Sequence, residues 1–80
     1  MSPLSERVRA VLSPREGGIE MVDGLVVVRV DSVDRRYRDA IKAGLEPMSP
    51  PEDEVGMGAC RRVARVRDMS TGRMIVIWSP

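Results

Sequence analysis

The run Leu25-Val26-Val27-Val28-Arg29-Val30 constrains the fold more than any other stretch of this chain. Valine dominates it, and β-branched side chains fit a pleated surface better than a helix. The run is apolar at nearly every position rather than at alternate ones. That is the pattern of a strand covered on both faces. Asp23-Gly24 just before it is a turn signal, so the chain enters this strand from a tight reversal.

The stretch that follows reads as a short amphipathic helix. Asp31 or Ser32 caps it, Asp34 suits the positive end of its dipole, and Gly44 stops it. Val33, Tyr37, Ala40 and Ile41 form one apolar stripe, while Arg35, Arg36, Arg38, Asp39 and Lys42 face water. Residues 46–59 hold Pro47, Pro50, Pro51, Gly56 and Gly58, too many breakers for a helix. They read as a short edge strand plus loop, a candidate mobile rim. Two further strands, Arg61–Arg67 and Arg73–Trp78, are joined through Asp68-Met69-Ser70-Thr71-Gly72, a turn of hairpin length. The order after residue 24 is therefore strand, helix, strand, strand, strand.

The region before that strand admits two readings. Leu4, Val8, Val11 and Leu12 have helical spacing, with Ser2 as cap and Pro3 at the first helical position. The same residues also alternate, with Val8, Ala10 and Leu12 on one strand face. Ser13–Gly18 is turn chemistry that would lead to a second strand at Ile19–Val22.

A chain of 80 residues is one small domain, and a domain of that size buries only about 60% of its unfolded surface. Cys60 is its single cysteine and it has no histidine, so neither an intrachain disulfide nor a Cys/His zinc site can supplement the core. A second copy of the chain is the expected stabiliser. Thirteen basic residues, all arginine but Lys42, stand against twelve acidic ones, which argues against a nucleic-acid binder. No run approaches the roughly 18 apolar residues of a membrane span, and no signal-peptide pattern opens the chain. The cytoplasm is the default location.

From Gly24 to Pro80 the chain resembles a βαβββ module of the vicinal-oxygen-chelate superfamily, which includes glyoxalases, bleomycin-resistance proteins and dioxygenases. Four phrases carry the resemblance in order: Val28 to Asp34, Tyr37 to Glu46, Pro50 to Asp53, and Arg62 to Asp68 continuing through Gly72 to Val76. Upstream, Val8–Ser13 and Gly18–Val22 resemble the closing strands of a preceding module. This favours the strand reading there. The resemblance thus implies an α+β protein with a flexible N-terminus at 1–6, a hairpin at 7–23, and a βαβββ module at 24–80 on a curved mixed sheet. Its cleft would be completed by a partner chain, because the first strand and helix of a two-module domain are missing. Two departures concern local geometry: the turn Asp68–Gly72 is one residue longer than the family's and lacks its proline, and Gly56–Cys60 is longer than the family loop.

Metal-dependent members carry ligands at positions that match Leu25 and Val76, neither of which can bind a metal. Glu20, Asp31 and Asp68 sit at strand ends or turns, where capping and turn-making explain them. The resemblance therefore implies neither metal nor cofactor. Its curved sheet would send Leu25, Val27 and Arg29, with Met74, Val76 and Trp78, to a concave face, with Val26, Val28, Val30, Ile75 and Ile77 behind. Those six concave-face residues are the candidate ligand-binding set, and their chemistry suits a small-molecule pocket or, equally, a dimer core. Trp78 offers stacking to a planar ligand, and one of Arg61, Arg62, Arg65 and Arg67 could pair with an anion. Cys60 has no activating neighbour in sequence.

The expectation is a metal-independent homodimer that binds, and by sequestration protects against, a small apolar or planar molecule such as an antibiotic or metabolite. A metal-independent lyase or isomerase using Arg29, Glu20 or Asp68 is one alternative. A truncated, non-catalytic subunit of a longer relative is another.

Overall fold

Seven elements follow one another along the chain: α1 (Glu6–Leu12), β1 (Ile19–Val22), β2 (Leu25–Arg29), α2 (Val33–Lys42), β3 (Glu46–Gly56), β4 (Ala59–Asp68) and β5 (Arg73–Ser79). The structure is a computed structural model and describes residues 3–56 and 59–80. The five strands form one sheet in the order β1-β2-β5-β4-β3. Only β2 and β5 run parallel; β1 with β2, β5 with β4 and β4 with β3 are antiparallel. The protein is thus a small α+β domain on a mixed sheet, and strand, helix, strand, strand, strand is the order found from residue 25 onward.

Alternation along the strands separates two sheet faces. Val26 and Val28 of β2 lie beside Ile75 and Ile77 of β5, which in turn lie beside Val66 and Ala64 of β4. All six are buried and form one cluster with Val30, with Leu4, Val8 and Leu12 around α1, and with Val33, Ala40 and Leu45 around α2. Both helices therefore cover the same face, and burial of this aliphatic layer is the main stabilising term.

Helix α2 forms as its stripe requires. Ser32 is the cap, its Oγ accepting from the Arg35 amide. Asp31 lies just outside it, accepting from the Ser32 amide and from Arg36. The Arg36 guanidinium, and then the Ser32 amide, hold the Asp31 carboxyl down at about 2. Arg62 reaches from β4 to Asp34 at 2.9 Å and to Asp53 at 3.2 Å, tying the first turn of α2 to β3.

Three expectations are corrected. Residues 8–13 are not a strand: residues 8–12 belong to α1 and Ser13 is its C-cap, while Ser5 rather than Ser2 is the N-cap, accepting from the Val8 amide. Leu4, Val8 and Leu12 are buried while Ala10 is exposed, which is helical spacing. Alternation would have buried Ala10 with its neighbours. Ile19–Val22 is a strand, but its partner is β2 rather than residues 8–13. Nor is the N-terminus loose through residue 6, since Leu4 is 6% exposed and Glu6 already belongs to the helix; residues 1 and 2, including the suggested cap Ser2, lie outside the described residues. Finally, 46–56 is not a short strand plus loop but one long edge strand. Its prolines sit where the chain has no outer neighbour, and register shifts between Pro47 and Ser49 and between Ser49 and Glu52 absorb the irregularity. The longer loop expected at Gly56–Cys60 falls on residues 57 and 58, outside the described residues.

Asp23-Gly24 makes the β1–β2 reversal with φ of 50° and 81°. Positive φ at both central positions is the hairpin geometry whose twist matches that of strands, and Asp-Gly is among the pairs that tolerate it. Ahead of β1, the Arg15 amide donates to the Arg29 carbonyl, and the Arg29 amide to the Gly18 carbonyl. This pins the turn after α1 against the end of β2.

Candidate functional site

The face of the sheet away from the helices is uncovered, and the pairing registers lay its residues out in rows. One row runs Glu20, Val27, Val76, Arg65 and Ser49; the next holds Arg29, Trp78, Val63 and Glu52. Beyond them Arg61 faces Glu54. A hollow of about 550 Å³ lies over these rows, with Val27, Val63 and Val76 as floor, Trp78 within it, and Arg29, Arg61, Arg65, Glu20 and Glu54 around it. Its size falls in the range of small-molecule pockets.

Charge and aromatic surface meet at one point. The guanidinium carbons of Arg29 and Arg61 lie over the Trp78 ring, 5.9 and 4.9 Å from its centroid. Both are within cation–π range. They come from β2 and β4, the strands on either side of β5, so the sheet itself places them there. Val63 is only 6% exposed although no helix covers it. Trp78 is its cross-strand neighbour, and Arg61 and Arg65 flank it on its own strand face. Long side chains whose stems lie along apolar surface can shield such a residue.

Of the residues expected at a ligand site, Val27, Arg29, Val76 and Trp78 come together around this hollow. Leu25 and Met74 share the face but lie a row closer to the β1–β2 turn, outside the hollow. Among the arginines of β4, alternation sends Arg61, Arg65 and Arg67 to the open face and Arg62 to the helix side. Sequence reasoning missed Val63 and Glu54 as lining residues; period-two spacing from Arg61 points to the first, whereas the second depends on register with β3. Glu20 reaches the rim. Asp68 does not, since it is buried on the helix side, where it accepts from the Ser70 amide and hydroxyl. Tyr37, the other aromatic residue, is half-buried on α2 and lines a separate hollow together with Pro51.

Among the described residues, no group of three or more His, Cys, Asp or Glu side chains is arranged to hold a metal ion, and no helix is long and apolar enough to cross a membrane. Cys60 is exposed, opposite Val55 on the β3–β4 pair. No protein-family model, curated protein or solved structure matches this chain.

Proposed function

We propose that this chain is a metal-independent small-molecule-binding protein, similar to the glyoxalase and bleomycin-resistance proteins, that sequesters its ligand on the open face of its sheet. A second copy of the chain closes the cleft in this reading, and the cytoplasm is where it acts. The observation that carries it is the hollow of about 550 Å³ with an apolar floor and an aromatic ring flanked by charged groups, a combination suited to orienting a small ligand. The sheet would otherwise leave Val27, Val76 and Trp78 to solvent, and a partner copy gives that surface a reason to exist.

The test joins two measurements. Light scattering after size exclusion gives the mass in solution, and Trp78, the only tryptophan, reports ligand through a single indole resonance and through its fluorescence. A dimer whose Trp78 signal saturates with an antibiotic or metabolite from a panel supports the reading. A monomer at all concentrations with no Trp78 response to the panel removes it.

The lyase or isomerase alternative needs a proton acceptor at the ligand. Glu20 and Arg29 line the hollow, so a turnover lost in Glu20→Gln with binding retained would favour that alternative. Purification only with a longer relative would favour the accessory-subunit reading.

A further inference from the structure

The charges on this face are unevenly satisfied. On the helix side, Arg36 pairs with Asp31 and Asp39, and Arg62 with Asp34 and Asp53. Around the hollow, Arg65 has Glu54 at 4.0 Å. Among the described residues, Arg29 and Arg61 have no carboxylate within ion-pairing distance. The hollow is therefore lined by three guanidinium groups against two carboxylates, one of which Arg65 already engages.

The two unpaired guanidinium groups are also the two that lie over Trp78. A cation–π contact engages a guanidinium without an ion pair or a hydrogen-bond acceptor, so its N–H donors remain available. It also restrains a long side chain that would otherwise lose rotamer freedom on binding. An arginine held in this way is prepared for an acceptor that takes two parallel N–H bonds, and a carboxylate is such an acceptor. Beside these groups lies a floor of Val27, Val63 and Val76, which has no donor or acceptor to offer and favours hydrocarbon.

Resting on the ligand-cleft reading above, we propose that the cleft takes a small organic monocarboxylate, with its carboxylate held by Arg29 and Arg61 and its apolar body laid over the three valines. Trp78 is then the platform for the arginines rather than a bare stacking surface. One excess positive charge at the site matches one anionic group.

The experiment compares 2-naphthoate with 2-naphthamide, which share a ring system and differ in charge, on the full chain. Calorimetry gives affinity, and the Trp78 indole resonance locates binding. Wild type is expected to bind the acid at least roughly tenfold more tightly than the amide, the low end of what charge-assisted hydrogen bonds supply. In the double variant Arg29→Gln, Arg61→Gln, the affinity for the acid is expected to fall to that for the amide, with amide binding kept. Arg29→Lys with Arg61→Lys keeps charge without the fork and is expected to lie between. Arg9→Gln with Arg35→Gln, on exposed helix positions, removes the same net charge and is expected to change nothing. Equal binding of acid and amide by wild type overturns the anion inference and leaves the cleft standing. An unchanged preference for the acid in the glutamine double variant overturns the assignment to Arg29 and Arg61. Failure of both probes to shift Trp78 at millimolar concentration overturns the inference and the cleft reading together. The comparison on wild type needs no variant to fold.

Discussion

Replacing Leu12 by Ala tests whether the first helix is a structural part of this domain. Leu12 is the last residue of α1 and is 0% exposed, packed in the cluster that includes Val8, Val26 and Ile77. A helix of seven residues is far below the length at which helices persist alone in water, so α1 must owe its existence to the burial of Leu4, Val8 and Leu12. Removing the Leu12 side chain forfeits its transfer free energy and leaves a cavity, together about 3 kcal/mol, within the range of roughly 2–5 for buried Leu to Ala. A domain of this length carries on the order of 4–12 kcal/mol in all, so the loss is a large fraction of the total. At about 4–8 °C per kcal/mol the melting temperature should fall by roughly 12–24 °C. Urea unfolding followed by far-ultraviolet circular dichroism gives the free energy, and an unchanged slope would show that the extent of unfolding is the same. Ala10→Lys is the paired control. Ala10 is exposed on α1, so lysine there should cost less than about 0.5 kcal/mol, whereas a strand through residues 8–12 would turn it inward with Val8 and Leu12. A loss under about 1 kcal/mol for Leu12→Ala, or a cost for Ala10→Lys as large as that of Leu12→Ala, would refute the docking of α1.

Three further outcomes follow from local geometry. A Cβ at Gly18 would stand 2.8 Å from the Arg15 carbonyl oxygen and 3.0 Å from the Arg29 Cβ, so Gly18→Ala should destabilise by about 1–3 kcal/mol in urea titrations and shift the Arg29 amide resonance. Because the folded Asp31 carboxyl is held at about 2, below its ordinary value of 3.8, its contribution is present above pH 4 and lost as pH falls toward 2. Asp31→Asn should therefore flatten the stability profile across that window, and an unaltered acid limb would contradict the assignment. Arg62→Gln releases Asp34 and Asp53 and should lower the urea midpoint at low salt, the difference closing as sodium chloride approaches about 1 M, where the screening length is near 3 Å.

How far the sequence discloses this molecule depends on whether each feature is local. The strand at Leu25–Arg29 and the helix at Val33–Lys42 rest on β-branching, a cap and an apolar stripe, all of which are legible residue by residue. Helix α1 was not, because Val8 and Leu12 satisfy the helical and the alternating period together, and the exposure of Ala10 is decided only by how α1 docks on the rest of the core. Edge strand β3 was obscured by its prolines. A proline costs a strand a hydrogen bond only where a neighbour waits for it, and the sequence does not say that β3 is outermost. At the candidate site, alternation gave the face correctly for Leu25, Val27, Arg29, Met74, Val76 and Trp78. It could not give the row: Leu25 and Met74 fall outside the hollow because the pairing of Arg29 with Trp78 and of Trp78 with Val63 centres it elsewhere. Register between strands far apart in sequence is a property of the assembled sheet.

The two faces of the sheet differ in how their apolar surface is covered. The core on the helix side is filled by Val, Ile, Leu and Ala, side chains with no polar atoms that need only to be packed. The open side carries the one Trp and four arginines, Arg29, Arg61, Arg65 and Arg67, and a tryptophan placed there without a helix over it must find another cover. Arg29 and Arg61 supply it by lying over the ring, and Val63, at 6% exposure, is shielded among the same side chains. This cover differs from a helix in one respect that matters for function. It consists of charged, flexible side chains, so under the proposal above a ligand that pairs with them would bind without exposing the apolar layer beneath. A hydrophobic plug would have had to leave before anything else could enter. The arrangement thus lets the sheet stay folded with no helix over Trp78, because the register sets that ring between the arginines of β2 and β4.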